Sequence, residues 1–331
     1  MLGRHCCDWW NQLADYTSGC DDRNRCDHQP SDDRYHQQDL YHVVLHTSVI
    51  PNLIDTHSHL HFGAYDEDRD AVLLRMQEQG IQTIVVGTNG ATSKAAVAFA
   101  ERSASVFASV GYHPSHMIHA IEEDYEEADP NPYDPGLLRQ LASANSVVAI
   151  GETGLDYSYL QDRDDIEMRK VEQRRVFKEH LEIAHELHLP VIIHARDTYD
   201  EISSIISQQS QPVRGVMHCY NGTWAEAERL LAIGLMISFT GLVTFKPKKS
   251  IPETDQLQRV AERIPLDRFM IETDAPWLAP EPNRGKRNDP TMVKYIAEKI
   301  AELRGITLEE VAVASTQNAM RFFRLDEHIH S

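Results

Sequence analysis

The 331-residue sequence predicts an α/β chain folded as a (β/α)8 TIM barrel, and three observations lead there. Short apolar runs alternate with helix-compatible segments, the pattern of βα units around a parallel sheet. Eight such units occupy the chain from Pro51 onward, near the roughly 250 residues that a barrel needs. Polar residues able to bind metal or move protons stand at the same end of run after run, where a barrel collects its catalytic groups. An open, doubly wound sheet is the competing architecture. Composition does not separate the two; the placement of the polar residues favours the barrel.

The runs, in order, are Leu53-Ile54, Ile81 to Val86, Val106 to Val110, Val147 to Ile150, Val191 to Ile193, Gly215 to Met217, Leu235 to Phe239 and Phe269 to Ile271. Each has the length of a buried strand and lacks the strict alternation of a half-exposed one. Helices are expected between them at Asp70 to Gly80, Ser93 to Arg102, Glu167 to His188, Thr223 to Gly234 and Thr291 to Arg304. Gly80 and Gly234 stand where a glycine ends a helix before the next strand. Reading the strand ends gives His57 and His59 after the first, His113 after the third and Glu152 after the fourth. His194 follows the fifth, His218 the sixth and Asp274 the eighth.

Residues 1 to 50 have a different texture, rich in Asp, Arg, His, Gln and Cys and without a sustained period. They read as a poorly ordered extension ahead of a hydrolase barrel spanning 51 to 331. Cys20, Cys26 and His28 match no structural zinc spacing. Only Cys219 lies beyond residue 26, so no disulfide framework supports the body of the chain. No stretch of 18 apolar residues exists and the mean hydropathy is −0.44, which argues against a membrane-spanning protein. The first ten residues lack a secretory pattern, so a cytoplasmic location is expected, with no obligate protein partner evident. With 51 acidic against 32 basic residues the net charge is −19, opposite in sign to non-specific nucleic-acid binders. An acidic chain can still act on phosphates where metal ions supply positive charge locally.

His57 and His59 carry the sharpest motif, because residues i and i+2 of an extended chain project to one side. Two neutral imidazoles on one side form half a metal site. Four imidazoles and two carboxylates exceed what one tetrahedral ion uses, and a carboxylate can bridge two ions. The assignment is His57, His59 and Asp274 to one ion, His194 and His218 to the other, and Glu152 to both. Mixed nitrogen and oxygen donors suit Zn, Mn, Fe or Co, whereas Mg prefers more oxygen. Two divalent ions (Mg, Mn or Zn) are the expected cofactors. Asp274 is also the candidate general base for the attacking water, with Glu152 beside it.

Leu53 to His61 (LIDTHSHLH) resembles the opening motif of the TatD family of metal-dependent hydrolases. So do Gly111-Tyr112-His113-Pro114, Ile150 to Asp156 (IGETGLD), Val191 to Arg196 (VIIHAR), His218-Cys219-Tyr220, Ile237 to Gly241 (ISFTG) and Glu272 to Pro280 (ETDAPWLAP). The likeness runs in order from about residue 52 to 325 and is nearest the bacterial YcfH-like branch, given Arg284-Gly285-Lys286. It implies a TIM barrel of the amidohydrolase type and a DNase, in some members a 3′→5′ exonuclease. It also implies that His57, His59, Glu152, His194, His218 and Asp274 are metal ligands and that His113 lies at the substrate pocket. Ala275 and Trp277 replace the Ser and Tyr common after the Asp, a change to the pocket wall and not to the ligand set.

A phosphodiester substrate needs cations besides the metals. Arg196, Lys246, Lys248, Lys249, Arg284, Lys286 and Arg287 follow the fifth, seventh and eighth strands. Singly, each is an ordinary loop charge; together, in so acidic a chain, they favour a phosphate-bearing substrate, with DNA expected. Tyr112, Tyr157, Tyr220 and Trp277 could stack on bases, or equally be packing. Arg196, Tyr220 and Arg284 join His113 as the expected substrate contacts. The alternative enzyme is a hydrolase of a small amide, lactone or phosphoester using the same centre, since fold and metals do not choose the substrate. A metal-binding interaction protein is the reading from another class.

Overall fold

Every one of the eight apolar runs forms a strand in the computed structural model, which describes residues 52–118, 131–160, 164–247 and 256–329. The expectations for residues 1 to 50, and for Lys248 and Lys249, lie outside the described residues. The strands are β1 (Leu53–Ser58), β2 (Ile81–Val86), β3 (Val106–Val110), β4 (Val147–Asp156), β5 (Val191–Arg196), β6 (Gly215–Met217), β7 (Met236–Phe239) and β8 (Phe269–Ile271). They lie side by side in chain order, each parallel to the next. Between β8 and β1 the sheet meets itself through a parallel bridge, Ser58 to Ala275. Two backbone bonds support it: His59 N–H to Ala275 O at 2.7 Å and Asp274 N–H to His57 O at 2.9 Å. That seam decides for the barrel over the open sheet.

The described helices are α1 (Arg69–Glu78), α2 (Gly90–Ala100), α3 (Pro135–Ala142), α4 (Ile166–Glu186), α5 (Tyr199–Ser207), α6 (Trp224–Ala232), α7 (Gln256–Arg263), α8 (Val293–Arg304), α9 (Leu308–Phe323) and α10 (Leu325–Ile329). Gly80 and Gly234 take φ of 64° and 91° just past α1 and α6, the left-handed backbone expected of helix-ending glycines. The segment predicted as one helix from Thr291 is a 3-10 turn, Pro290–Met292, leading into α8.

One buried cluster draws on every strand, with Ile54, Ile84, Phe107, Val148, Ile192, Val216, Met236 and Met270 packed with Phe322, Phe323 and Leu325. The C-terminal helices thus plug the barrel at its N-terminal end. Asn318 of α9 holds Leu266 O and Phe269 O, both at 2.8 Å, and Thr316 holds Asn52 O at 2.7 Å. Each acceptor lies at or just before the start of β8 or β1. The opposite end is left for polar side chains.

Two strands run further than their apolar runs. β1 continues through Asp55 to Ser58 and β4 through Gly151 to Asp156, so His57 and Glu152 lie within strands and not after them. His194 likewise lies within β5. Register shifts fall between Asp55 and Ser58 and between Ile150 and Thr153, at His57 and Glu152 themselves. A bulge re-aims a side chain without ending the strand. Gly151 at φ 141° and the closeness of Gly111 to it, where a Cβ would lie 2.6 Å from the Gly151 carbonyl carbon, let β3 and β4 meet there.

Candidate active site

The six side chains expected as ligands converge at the C-terminal end of the barrel. Nε2 of His57 and Nε2 of His59 are 3.2 Å apart. Glu152 Oε1 lies 3.7 and 3.9 Å from them, and Asp274 Oδ1 lies 3.7 and 3.6 Å from them. The other oxygen of Glu152, Oε2, faces a second group, His218 Nε2 at 2.8 Å and His194 Nδ1 at 3.6 Å. Those two nitrogens are 3.1 Å apart. One carboxylate therefore divides its oxygens between two sets of nitrogen donors.

The far side of each ring decides which nitrogen faces inward. Nδ1 of His59 is 2.8 Å from Val86 O, and a carbonyl only accepts, so Nδ1 carries the proton and Nε2 offers a lone pair when the ring is neutral. Nε2 of His194 is 3.2 Å from Asp156 Oδ2, which turns Nδ1 toward Glu152. Nδ1 of His218 lies 3.5 Å from Glu272 Oε1. Carboxylate or carbonyl partners behind a metal-binding imidazole orient it and raise its basicity. Asp156 and Glu272 hold those places, and the sequence reading assigned them no role. Each stands in a quoted motif, Asp156 four residues after Glu152 and Glu272 two residues before Asp274.

Positive charge is in demand here. Burial opposes ionisation of Glu152, yet His218 and His57 beside it hold its carboxyl well below the usual range. Burial likewise opposes a charge on His218, and Glu152 and Glu272 override it and hold the ring well above the ordinary imidazole range. His194 moves up against burial because Asp156 and Glu152 face it. His57 goes down through burial and the nearby His218. His57 Nδ1 is buried without a hydrogen-bond partner, and Glu152 Oε2 faces the two imidazole nitrogens of His218 and His194. Converging imidazole nitrogens, and a buried carboxylate that faces them with both oxygens, are a donor set suited to divalent cations.

His113 packs edge-on against His194, with ring centroids 4.2 Å apart, and burial, then His194, lower it well below the usual range. Its Nδ1 accepts from Ser115 N–H at 3.2 Å, so the neutral ring carries its proton on Nε2. Arg196 ends β5 in register with Asp156 of β4, and Arg284 lies over the Phe245 ring at 4.3 Å. Tyr220 is a correction: it is fully buried and its hydroxyl donates to Thr223 O at 2.6 Å, so it is packing and not a substrate contact. Tyr112 is buried against Tyr133, and Arg287 is taken up by Asp68 and Ala64 O, both at 2.6 Å. Trp277 stands beside the donors, its ring 5.3 Å from His59 and 6.2 Å from Phe62.

Comparison with known proteins agrees with this geometry. The family model described as TatD related DNase matches residues 54–324. Uncharacterized metal-dependent hydrolase YabD of Bacillus subtilis is 38% identical over 83% of this chain and 100% of its own length. Its counterpart YcfH of Escherichia coli K12 is 37% identical over 83% and 96%. A protein named 3′-5′ ssDNA/RNA exonuclease TatD, of Erwinia tasmaniensis, is 34% identical over 79% and 95%. Among solved structures, YJJV, a TatD homologue of Escherichia coli K12, superposes with a TM-score of 0.71 at 28% identity, covering 83% of this chain and 99% of that one. With motif order, barrel and donor cluster all in agreement, this chain belongs to the TatD family of metal-dependent hydrolases and is YcfH-like within it.

Proposed function

We propose that the chain is a deoxyribonuclease that shortens DNA from a 3′ end at a centre holding two divalent ions. The observation that carries this reading is the division of Glu152 between its two oxygens. Oε1 sits with His57, His59 and Asp274, and Oε2 with His194 and His218. In this proposal His57, His59 and Asp274 hold one ion, His194 and His218 the other, and Glu152 both. Ions bound there would polarise the phosphoryl oxygens and make a water nucleophilic at neutral pH.

The chain's own groups do the rest. The Asp274 carboxylate is 15% exposed, open enough to take a proton from an attacking water while facing the histidines. Nε2–H of His113 is a fixed donor for a non-bridging oxygen, held in that tautomer by Ser115. Trp277 offers a ring for the terminal base, and Arg196 and Arg284 offer charge for flanking phosphates. The name of the Erwinia relative, a 3′-5′ ssDNA/RNA exonuclease, supports this class of substrate.

The test strips wild type and a His57→Ala/His59→Ala variant of metal, restores Mg²⁺, Mn²⁺ or Zn²⁺, and resolves by length the products from 5′- and 3′-labelled single-stranded DNA. A ladder shortening from the 3′ end in restored wild type and absent in the variant is expected. Turnover of small phosphoesters, amides or lactones with no strand shortening would overturn the DNA reading and leave the centre intact.

A further inference from the structure

A cavity of about 250 Å³, with polar and apolar lining alike, lies at the opposite end of the barrel from the candidate donor cluster. It is walled by the last turns of α4 and the loop after it, the loop that leads into β6, and Arg324 at the junction of α9 and α10. His185, His188, Arg214 and Arg324 line it, with Glu182 as the one carboxylate among the lining residues. The chain is strongly acidic overall, so two arginines and two histidines around one cavity need a reason.

The arginines are poorly satisfied by the protein itself. Arg214 gives one nitrogen to His188 O at 2.9 Å, while its Nε is buried and has no partner. Arg324 is exposed, and among the described residues its guanidinium makes no hydrogen bond or ion pair. Both line the same cavity, and burial first, and then the charge of Arg324, pull Arg214 below the ordinary guanidinium range, with Glu327 opposing. A guanidinium does not escape by losing its proton. What relieves a buried, half-used donor beside a like charge is an anion with several acceptor oxygens, and a guanidinium fork matches phosphate geometry. The volume lies just below the roughly 300 Å³ at which pockets for drug-sized ligands begin, which suits a small ligand and not a polymer strand.

We propose that this cavity binds the phosphate group of a small phosphomonoester, held between Arg214 and Arg324. The inference is independent of the DNA reading, because none of these residues belongs to the donor cluster. The test follows the imidazole resonances of His185 and His188 in the full chain by NMR, at fixed ionic strength, while inorganic phosphate and then methyl phosphate are added. Saturable shifts with both probes, at least as tight for the monoester, are expected. Arg324→Gln should weaken binding about tenfold, and Arg324→Glu should abolish it, with metal-dependent activity unchanged. Arg324 variants are preferred because Arg214 also holds His188 O, so its loss can disturb the fold. Equal binding in Arg324→Glu, shifts confined to His194 and His218, or binding of inorganic phosphate alone would each overturn the proposal.

Discussion

Asp55 in β1 and Thr273, two residues past β8, are bonded twice across the barrel seam. The Thr273 N–H donates to Oδ1 at 2.8 Å and its hydroxyl to Oδ2 at 2.6 Å, with both residues fully buried. Elsewhere neighbouring strands share a ladder, but here a single bridge joins them, so this pair carries much of the closure. Asp274 is the next residue along, which links closure to the site. Asp55→Ala strands the two buried Thr273 donors, at roughly 1–3 kcal/mol each, and the His57 N–H that meets Oδ1 at 3.3 Å. We expect a loss of about 3 kcal/mol in urea unfolding and a fall in kcat larger than any rise in KM. Asp55→Asn, which keeps the shape and one acceptor, should lie between. Wild-type stability in Asp55→Ala would mean the seam is held by other groups.

Asp156 acts through His194. It accepts from Ser158 N–H at 2.8 Å with one oxygen and faces His194 Nε2 at 3.2 Å with the other. Burial is the largest single influence and opposes its charge, but His194, through its bond and its charge, together with Ser158 and His113, outweighs burial and lowers its carboxyl below the usual range. Asp156→Asn retains the Ser158 bond and removes the charge that orients the ring. Loss of such a partner typically costs 10–100-fold in metal affinity. Competition with a chelator should show that loss at one of the proposed ions while unfolding stability changes little. Unchanged affinity for both would remove Asp156 from the site.

The legible parts of this molecule and the illegible ones have one physical boundary. Val147 to Ile150 reads as a strand because a parallel strand buried on both faces needs no polar residue. Leu53-Ile54 reads too short because Asp55, Thr56 and His57 continue the same strand with side chains that serve the seam and the donor cluster. The same holds for Gly151 to Asp156. A strand that carries chemistry loses its apolar signature where the chemistry begins. The convergence of the six candidate donors was readable from strand-end placement, whereas the places of Asp156 behind His194 and Glu272 behind His218 were not, since they rest on which ring nitrogen each carboxylate meets. Tyr220 failed for the opposite reason: an aromatic beside His218 gives no hint that its hydroxyl is spent on Thr223. Helices α3, α5, α7, α9 and α10 lay outside the named segments, although at α9 Thr307 and Glu310 form a capping box legible in the sequence.

Trp277 separates a nuclease from a small-molecule hydrolase. Its ring stands edge-on to His59 and Phe62 at the mouth of the donor cluster. Base–aromatic stacking contributes roughly 1–3 kcal/mol per base. Trp277→Ala should therefore raise KM for single-stranded DNA by about 5- to 100-fold, with kcat on bound substrate nearly kept. Trp277→Tyr should recover most of the loss. A steady-state comparison on DNA and on a small phosphoester decides the matter, because only the DNA KM is expected to move.

His180 gives the fold an acid-sensitive contribution away from the donor cluster. It is fully buried in α4, with Nδ1 2.8 Å from Val176 O and Nε2 accepting from Tyr112 N–H at 3.2 Å. Both bonds are made by the neutral ring, and burial pushes its pKa down to about 4. The unfolded ring titrates near 6.5, so the unfolded chain takes up a proton that the folded chain refuses. Stability from this residue is thus complete above pH 6.5 and is lost as pH falls from 6.5 toward 4, by about 3 kcal/mol in all. His180→Phe removes that titration and also the acceptor for Tyr112, at roughly 1–3 kcal/mol. Urea unfolding from pH 8 to pH 4 should show the variant less stable at pH 8 and the gap to wild type closing as the pH drops. A gap that stays constant would mean the folded ring takes up its proton as readily as the unfolded one.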